Sequence, residues 1–338
     1  MISFPDRQAD LRAPRPASGG EVVVLVSRLT ARDRWILRML LEHRVLTTLQ
    51  LGDLAFSSPK LALRRLARLH RYGVVDRFRP LRPRGSAPSH WVLASPGAAV
   101  LAAEAGVTVR ELGYNPQRAL AVAHSVHLTH TLGINTWFTT LTRHPHPHDD
   151  PDASARVDAW WSQDRCQRLW GDLARPDAFG RHTHTGTVLD FFLEYDLAST
   201  TLARVAAKLS GYSELARTTG VITPVLFWVP TLARETSARH ALRHTWDRLP
   251  DPGTVPVATA AAELLTPLPD PSPADRVWLP LDSGGTERLR VHELAAAWPR
   301  RTPPDPDTLD TEPTTTATLA GQVLLAPPPP RPPAPEPW

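Results

Sequence analysis

Residues 57–73, SSPKLALRRLARLHRYG, decide how the first part of the chain is read. Ser57, Ser58 and Pro59 open a helix and Gly73 ends it. Lys60, Arg64, Arg68 and Arg71 recur at steps of four, four and three, which gathers them on one helical face. Ala62, Leu66 and Leu69 take the opposite face, with Leu63 beside them. A helix buried on one side and lined with basic side chains on the other suits the major groove of duplex DNA.

The flanking residues supply the rest of a module. Thr30 followed by Asp33 is a capping-box pattern, and Ile36, Met39, Leu40 and His43 continue it as one helical face. A second short helix fits Thr47 to Leu54, capped by Thr47 or Thr48, with Leu49, Leu51 and Leu54 inward. Beyond Gly73, the residues Val74, Val75 and Arg77 to Arg79 read as a strand. The stretch PLRPRGSAPS reads as a basic tip, and His90 to Leu93 as the returning strand. That order predicts a winged helix-turn-helix over residues 28–95. Arg65 joins the basic helix, while Arg77, Arg79, Arg82 and Arg84 lie on the wing, where arginines reach phosphates or a narrow minor groove. The same module used only as a protein dock would show no salt-dependent DNA affinity.

The charge is placed accordingly. Residues 28–94 hold 14 Arg or Lys against four acids, whereas the whole chain is only +4, so the remainder is acidic. A basic module beside an acidic remainder points to a polyanion, here double-stranded DNA. At 338 residues and 42% hydrophobic, the chain has room for two ordinary domains. The opening MISFPDRQAD has no basic stretch leading into an apolar core, and no apolar run is long enough to span a bilayer. Residues 1–27 are expected to be a flexible segment. A single cysteine, Cys166, excludes a disulfide framework and a cysteine-rich zinc site. A cytoplasmic protein without membrane attachment is expected. Thirteen of the 36 prolines lie from Pro299 onward, so residues 299–338 read as a disordered, polyproline-like tail.

Between these regions, residues 96–150 read as a helical connector, with a short helix from Pro96 to Gly106 and a long one from Gln117 to about Arg143. Its His124, His127 and His130 could bind a metal ion, but His124 and His130 stand about 120° apart around a helix and no Glu or Cys completes a motif, so core or surface histidines are expected. From Arg156 the pattern turns α/β. Val157 to Trp161 reads as a strand, and Thr187 to Leu197, TVLDFFLEYDL, as another. Strand alternation puts Asp190, Phe192, Glu194 and Asp196 on one face. Leu189, Phe191, Leu193, Tyr195 and Leu197 form a wholly apolar core face on the other. Carboxylates in such a strand are costly unless paired or bound to a cation. A helix from Thr200 to about Thr218 follows, carrying Lys208 with Tyr212 one turn on. Ile222 to Val229 is a further strand, Thr231 to Arg248 a helix, and Val277 to Leu281 a last strand facing Leu289 to Val291. Lys208 and Lys60 are the only lysines among 38 basic residues.

Arg175-Pro176-Asp177, a strand bearing Glu194-x-Asp196, a helix with Lys208 and a further strand resemble, in that order, the PD-(D/E)xK nuclease core. The resemblance implies an α/β domain over residues 151–298 in which Asp177 and Glu194 would bind Mg²⁺ and a lysine would activate water. Asp196 stands where that family's lysine usually stands. Either the role has moved to Lys208 or the site no longer cuts. The chain as a whole resembles the replication-relaxation family of actinobacterial plasmids and integrated mobile elements. The residues that carry this are LTARDRWILRML, RLARLHRYGVVDR, HWVLASPGA, Arg175-Pro-Asp, FFLEYD and KLSGY, over about residues 28–298. The family resemblance implies DNA binding in plasmid replication or transfer, beside other proteins of that process.

The expected fold is therefore α+β overall, a winged helix-turn-helix followed by a nuclease-like domain. Two functions are open: DNA binding with Mg²⁺-dependent nicking through Asp177, Glu194, Asp196 and Lys208, or a regulator or scaffold whose inactive second domain dimerises or senses a ligand.

Overall fold

The computed structural model of the chain describes residues 17–80, 87–143, 155–282, 287–298, 317–319 and 322–334. The fold is α+β and divides into two compact units, residues 1–139 with 313–338, and residues 140–312.

The first unit is mainly helical. Helix α1 (Gly19–Arg28) lies in the stretch expected to be flexible. Ser18 and Glu21 cap it reciprocally, the Glu21 carboxylate accepting the Ser18 backbone N–H at 2.9 Å. Helix α2 (Ala31–His43) starts at the expected Thr30/Asp33 box and buries Trp35, Ile36, Leu37, Met39 and Leu40. Strand β1 (Leu46–Thr47) runs into α3 (Thr48–Ala55), whose cap is Thr47 with Gln50 at the reciprocal position. Leu51 and Leu54 point inward as expected, but Leu49 is exposed. Three residues later comes α4 (Pro59–Arg71), capped by Ser58. Strands β2 (Val75–Phe78) and β3 (His90–Leu93) pair antiparallel, and β1 adds to the other edge of β3, giving the order β1-β3-β2.

Helices α5 (Ser95–Glu104), α6 (Pro116–Ala121) and α7 (Leu128–Arg143) follow. The single long helix expected from Gln117 is broken. A 3-10 turn at Val122–His124 leads to an extended Ser125, whose hydroxyl accepts the His127 backbone N–H at 3.1 Å. The break takes His124 off the helix that carries His130. Asn135 of α7 donates to the Val45 carbonyl at 2.7 Å, and Gln50 of α3 donates to the Thr136 hydroxyl at 2.9 Å.

The second unit is built on a six-stranded sheet whose spatial order is the chain order. Strand β4 (Arg156–Ser162) leads into helix α8 (Gln163–Trp170), which packs back on β4 and β5. Strands β5 (Ala178–His184) and β6 (Thr187–Tyr195) form an antiparallel pair joined by a two-residue turn. Thr185 and Gly186 both have positive φ in that turn. Helix α9 (Leu202–Thr219) then crosses to β7 (Val225–Val229), parallel to β6. Helix α10 (Leu232–Trp246) crosses to β8 (Val257–Ala261), also parallel, and β9 (Leu279–Pro280) closes the edge antiparallel. The expected meeting of Val277–Leu281 with Leu289–Val291 is a single bridge, Trp278 to Leu289.

The core lies where α8, α9 and α10 meet the sheet. It holds Cys166, Phe179, Phe192, Leu209, Tyr212, Phe227 and Leu242. Helix α11 (Val291–Ala297) packs against β5 and β6. Strand β6 is thus buried on both faces through its centre, with Asp190, Phe192 and Glu194 as hidden as Leu189, Phe191 and Leu193. The face expected to be wholly core ends short: Leu197 is 38% exposed.

Two short strands, β10 (Ala317–Leu319) and β11 (Gln322–Leu324), pair antiparallel and belong to the first unit. The Val323 N–H donates to the Glu111 carbonyl at 2.7 Å. Part of the stretch expected to be a disordered tail is therefore ordered on the first unit. Among the described residues no helix is long and apolar enough to cross a membrane.

Candidate functional site

Two groups of side chains stand out, one in each unit. The first is the outer face of α4. Ala62, Leu66 and Leu69 are fully buried, which fixes the helix and turns Lys60, Arg64, Arg68 and Arg71 to solvent. Arg68, His70 and Arg71 fall in the last turn, where cations complement the helix dipole. Arg65 is not part of this face. Its guanidinium turns back to α2 and grips Asp33 with two bonds, Nε to Oδ1 at 2.7 Å and Nη2 to Oδ2. Since Asp33 also holds the cap of α2, Arg65 ties α4 to that helix. On the β2–β3 pair, Arg77 lies over the Trp91 ring, 5.9 Å from its centroid, and the exposed Arg79 donates to Ser89 Oγ at 3.0 Å. Arg82 and Arg84 lie outside the described residues.

The second group is built on β6 and its neighbours. Asp177 precedes β5, and its Oδ2 accepts the Tyr195 backbone N–H at 2.9 Å. Glu194, near the end of β6, points to α9. There the Lys208 ammonium donates to Oε2 and the Tyr212 hydroxyl to Oε1. Lys208 Nζ also lies 3.7 Å from Asp177 Oδ1. Three of the expected residues, Asp177, Glu194 and Lys208, therefore converge, although 31 positions separate the outer two in sequence.

Helix α9 approaches closely because residue 211 is glycine. A Cβ there would stand 2.5 Å from the Leu173 carbonyl oxygen, in the segment leading to Asp177. The Tyr212 ring stacks on Phe192 at 5.3 Å, which holds its hydroxyl under Glu194.

Burial and the neighbouring charge of Asp177 push the Glu194 carboxyl up to about 7, against the pull of Lys208 and Tyr212. Burial alone would depress the Lys208 ammonium, but the charges of Glu194 and Asp177 outweigh it and hold it above its ordinary value. Burial and the Glu194 charge push the Tyr212 phenol well above its usual range, so it stays a donor. The Lys208 side chain is 39% exposed, so solvent reaches the group through the lysine.

Asp196 does not join this group. Its carboxylate pairs with Arg234 of α10, Nε to Oδ2 at 2.7 Å, and also accepts the Ala198 N–H. The third acid of the strand, Asp190, faces Arg181 across the β5–β6 register and takes two bonds at 2.6 and 2.7 Å. Burial raises its pKa, and Arg181 counters the rise. Asp190, Glu194 and Asp196 thus each have a cation of their own, Arg181, Lys208 and Arg234.

The donor set bears on Mg²⁺. Both Glu194 oxygens are taken by protein donors, and one Asp177 oxygen by a backbone N–H. Mg²⁺ is commonly held by one or two carboxylates with waters completing its shell, so a cation here would have to displace Lys208 or Tyr212 to reach Glu194. Among the described residues no group of three or more His, Cys, Asp or Glu side chains is placed to hold a metal ion. Tyr212, read in the sequence as one turn beyond Lys208 but not placed among the expected site residues, completes the group through that spacing of four.

Comparison with known proteins finds one relationship. No curated protein and no solved structure matches the chain. The family model described as Replication-relaxation matches residues 37–226, more than half of the chain, a span that contains both α4 and the Asp177–Glu194–Lys208 group. The chain belongs to the replication-relaxation family.

Proposed function

We propose that this is a DNA-binding regulator or scaffold of plasmid or mobile-element replication and transfer. In this reading α3 and α4 form a helix-turn-helix, and β2 and β3 are its wing. Lys60, Arg64, Arg68 and Arg71 enter the major groove of double-stranded DNA. Arg77, Arg79, Arg82 and Arg84 follow the flanking phosphates. The observation that carries the reading is the α4 face: four exposed cations in register, with the opposite face fully buried. The protein acts in the cytoplasm.

The second unit is read as a PD-(D/E)xK-like fold that has been closed on itself. Lys208 and Tyr212 satisfy the carboxylate that would otherwise recruit a metal ion, and Asp196 is held by Arg234. Such a unit serves as a dimerisation or sensing platform, the protein working as a homodimer on DNA. What favours the nicking alternative is the convergence of Asp177, Glu194 and Lys208.

One pair of measurements tests both. Duplex affinity is measured against salt for the wild type and an Arg64→Ala/Arg68→Ala variant. Supercoiled plasmid is incubated with Mg²⁺ or Mn²⁺ beside Asp177→Ala and Glu194→Ala proteins. Salt-dependent binding without nicking is expected. Nicking lost in both acid variants would overturn the scaffold reading, and salt-independent binding would overturn the DNA interface.

A further inference from the structure

Residues 326–334, APPPPRPPA, lie on the first unit rather than trailing from it. Four consecutive prolines, Pro327 to Pro330, fix φ near −65° and carry no N–H, which favours a polyproline II run with carbonyls free of partners within the segment, ahead of a bend at Pro330 and Arg331. Two of those carbonyls are captured. Arg38 Nη2 donates to Ala326 O at 2.9 Å, and the indole N–H of Trp35 donates to Pro329 O at 2.7 Å. Positions 326 and 329 are one turn apart in a helix of three residues per turn, so both acceptors share a face. Trp35 and Arg38 are likewise three apart on α2, so both donors share a face. Pro328 and Pro330 are buried in the contact.

An aromatic N–H and a cation reading carbonyls three residues apart on a proline-rich strand is the chemistry of a polyproline receptor. The segment then continues toward α4. Pro333 and Ala334 help to line a cleft of about 730 Å³ together with Phe56, Arg64, Arg68 and Arg71. The far end of the docked strand therefore stands beside the basic face.

We propose that the α2 surface around Trp35 and Arg38 is a binding site for a polyproline II segment. Its resident ligand is the chain's own residues 326–334, and docking there restricts DNA access to Arg64, Arg68 and Arg71. The second half of this proposal rests on the DNA-binding reading of α4. The receptor half does not. The tail then acts as a latch: duplex binds the open state, and affinity is reduced by the fraction of chains that are open.

The test uses the full-length protein, a Pro328→Gly/Pro330→Gly variant that loosens the strand, and Trp35→Phe, which keeps a ring but loses the donor. Two readouts are taken: hydrogen exchange at Val323, whose N–H is bonded to Glu111, and duplex affinity at fixed salt. Both variants are expected to speed exchange and to bind duplex about tenfold more tightly, as for a latch closed about nine-tenths of the time. Since the tail variant alters no residue of the helical framework, its result stands even if Trp35→Phe fails to fold. Unchanged exchange in the tail variant overturns the receptor site. Faster exchange with unchanged affinity overturns the latch while leaving DNA binding intact. Absence of salt-dependent binding in every protein overturns the DNA reading and the latch together.

Discussion

Arg65 and Asp33 join α4 to α2 through a two-bonded ion pair at the very carboxylate that caps α2. Asp33 is fully buried, so removing its partner leaves a charge in the interior. Arg65→Ala is expected to cost about 3 kcal/mol, measured by urea unfolding. Any loss of DNA affinity should follow the loss of folded protein.

Arg64 and Arg68 are one and three positions from Arg65, yet the opposite outcome is expected for them. They are exposed, so alanine at either site should change stability by less than about 0.5 kcal/mol. The slope of log affinity against log salt should fall by about 1 for each arginine removed. Fluorescence anisotropy over a salt series reads this directly. A slope that stays constant while affinity falls would mean the arginines act through structure rather than on phosphates.

The Glu194 carboxyl predicts a pH dependence of definite sign. Its pKa is raised on folding to about 7, so the native state holds a proton that the unfolded chain has released. This contribution is fully present below the ordinary glutamate value, about 4.5, and is lost as pH rises through about 7. Wild-type stability should therefore decline across that window relative to Glu194→Gln, by at most about 3 kcal/mol, in unfolding titrations at matched ionic strength.

Tyr212→Phe removes one of the two donors to Glu194 and leaves a buried oxygen without its hydroxyl partner. The expected cost is about 1–3 kcal/mol at neutral pH. The titration of Glu194 should move further upward, because a bond that favours the charged form is gone. Carbonyl-carbon NMR of labelled glutamate follows that titration without reference to stability.

Gly211→Ala should be unfavourable despite the better helix propensity of alanine. The added carbon would meet the Leu173 carbonyl oxygen at 2.5 Å, so α9 or the 173–177 segment has to move. A loss of about 1–3 kcal/mol is expected. The Glu194 titration should shift as well, since the move separates Lys208 from Asp177.

Several of these elements were legible in the sequence because their signals are local. The Thr30/Asp33 box, the buried face of α4 and the β run of β6 each lie within a dozen residues, and periodicity alone locates them. Helix α1 was missed because only Leu25 of its ten residues is buried, so its apolar pattern had no core to report. Strand β8, VATAA, was missed because small residues carry little β signal. It is a strand because it fills the slot between β7 and β9. The partners of the β6 acids were illegible for another reason. Arg181 meets Asp190 through strand register, and Arg234 meets Asp196 from a helix 38 positions away. Neither relation has a local signature. The capture of Pro329 by Trp35 spans 294 positions, and composition could show only that the tail had no core of its own.

The sheet of the second unit has one further consequence. Its strands stand side by side in the order in which they are synthesised, so no strand is threaded between two already placed. Vectorial synthesis can lay them down in sequence, each new strand finding its neighbour at the growing edge. Asp177, Glu194, Lys208 and Tyr212 all emerge before β7 does. A nascent chain paused at that point would already carry every side chain of the acid–lysine group, with the rest of the sheet still to be added as its outer wall.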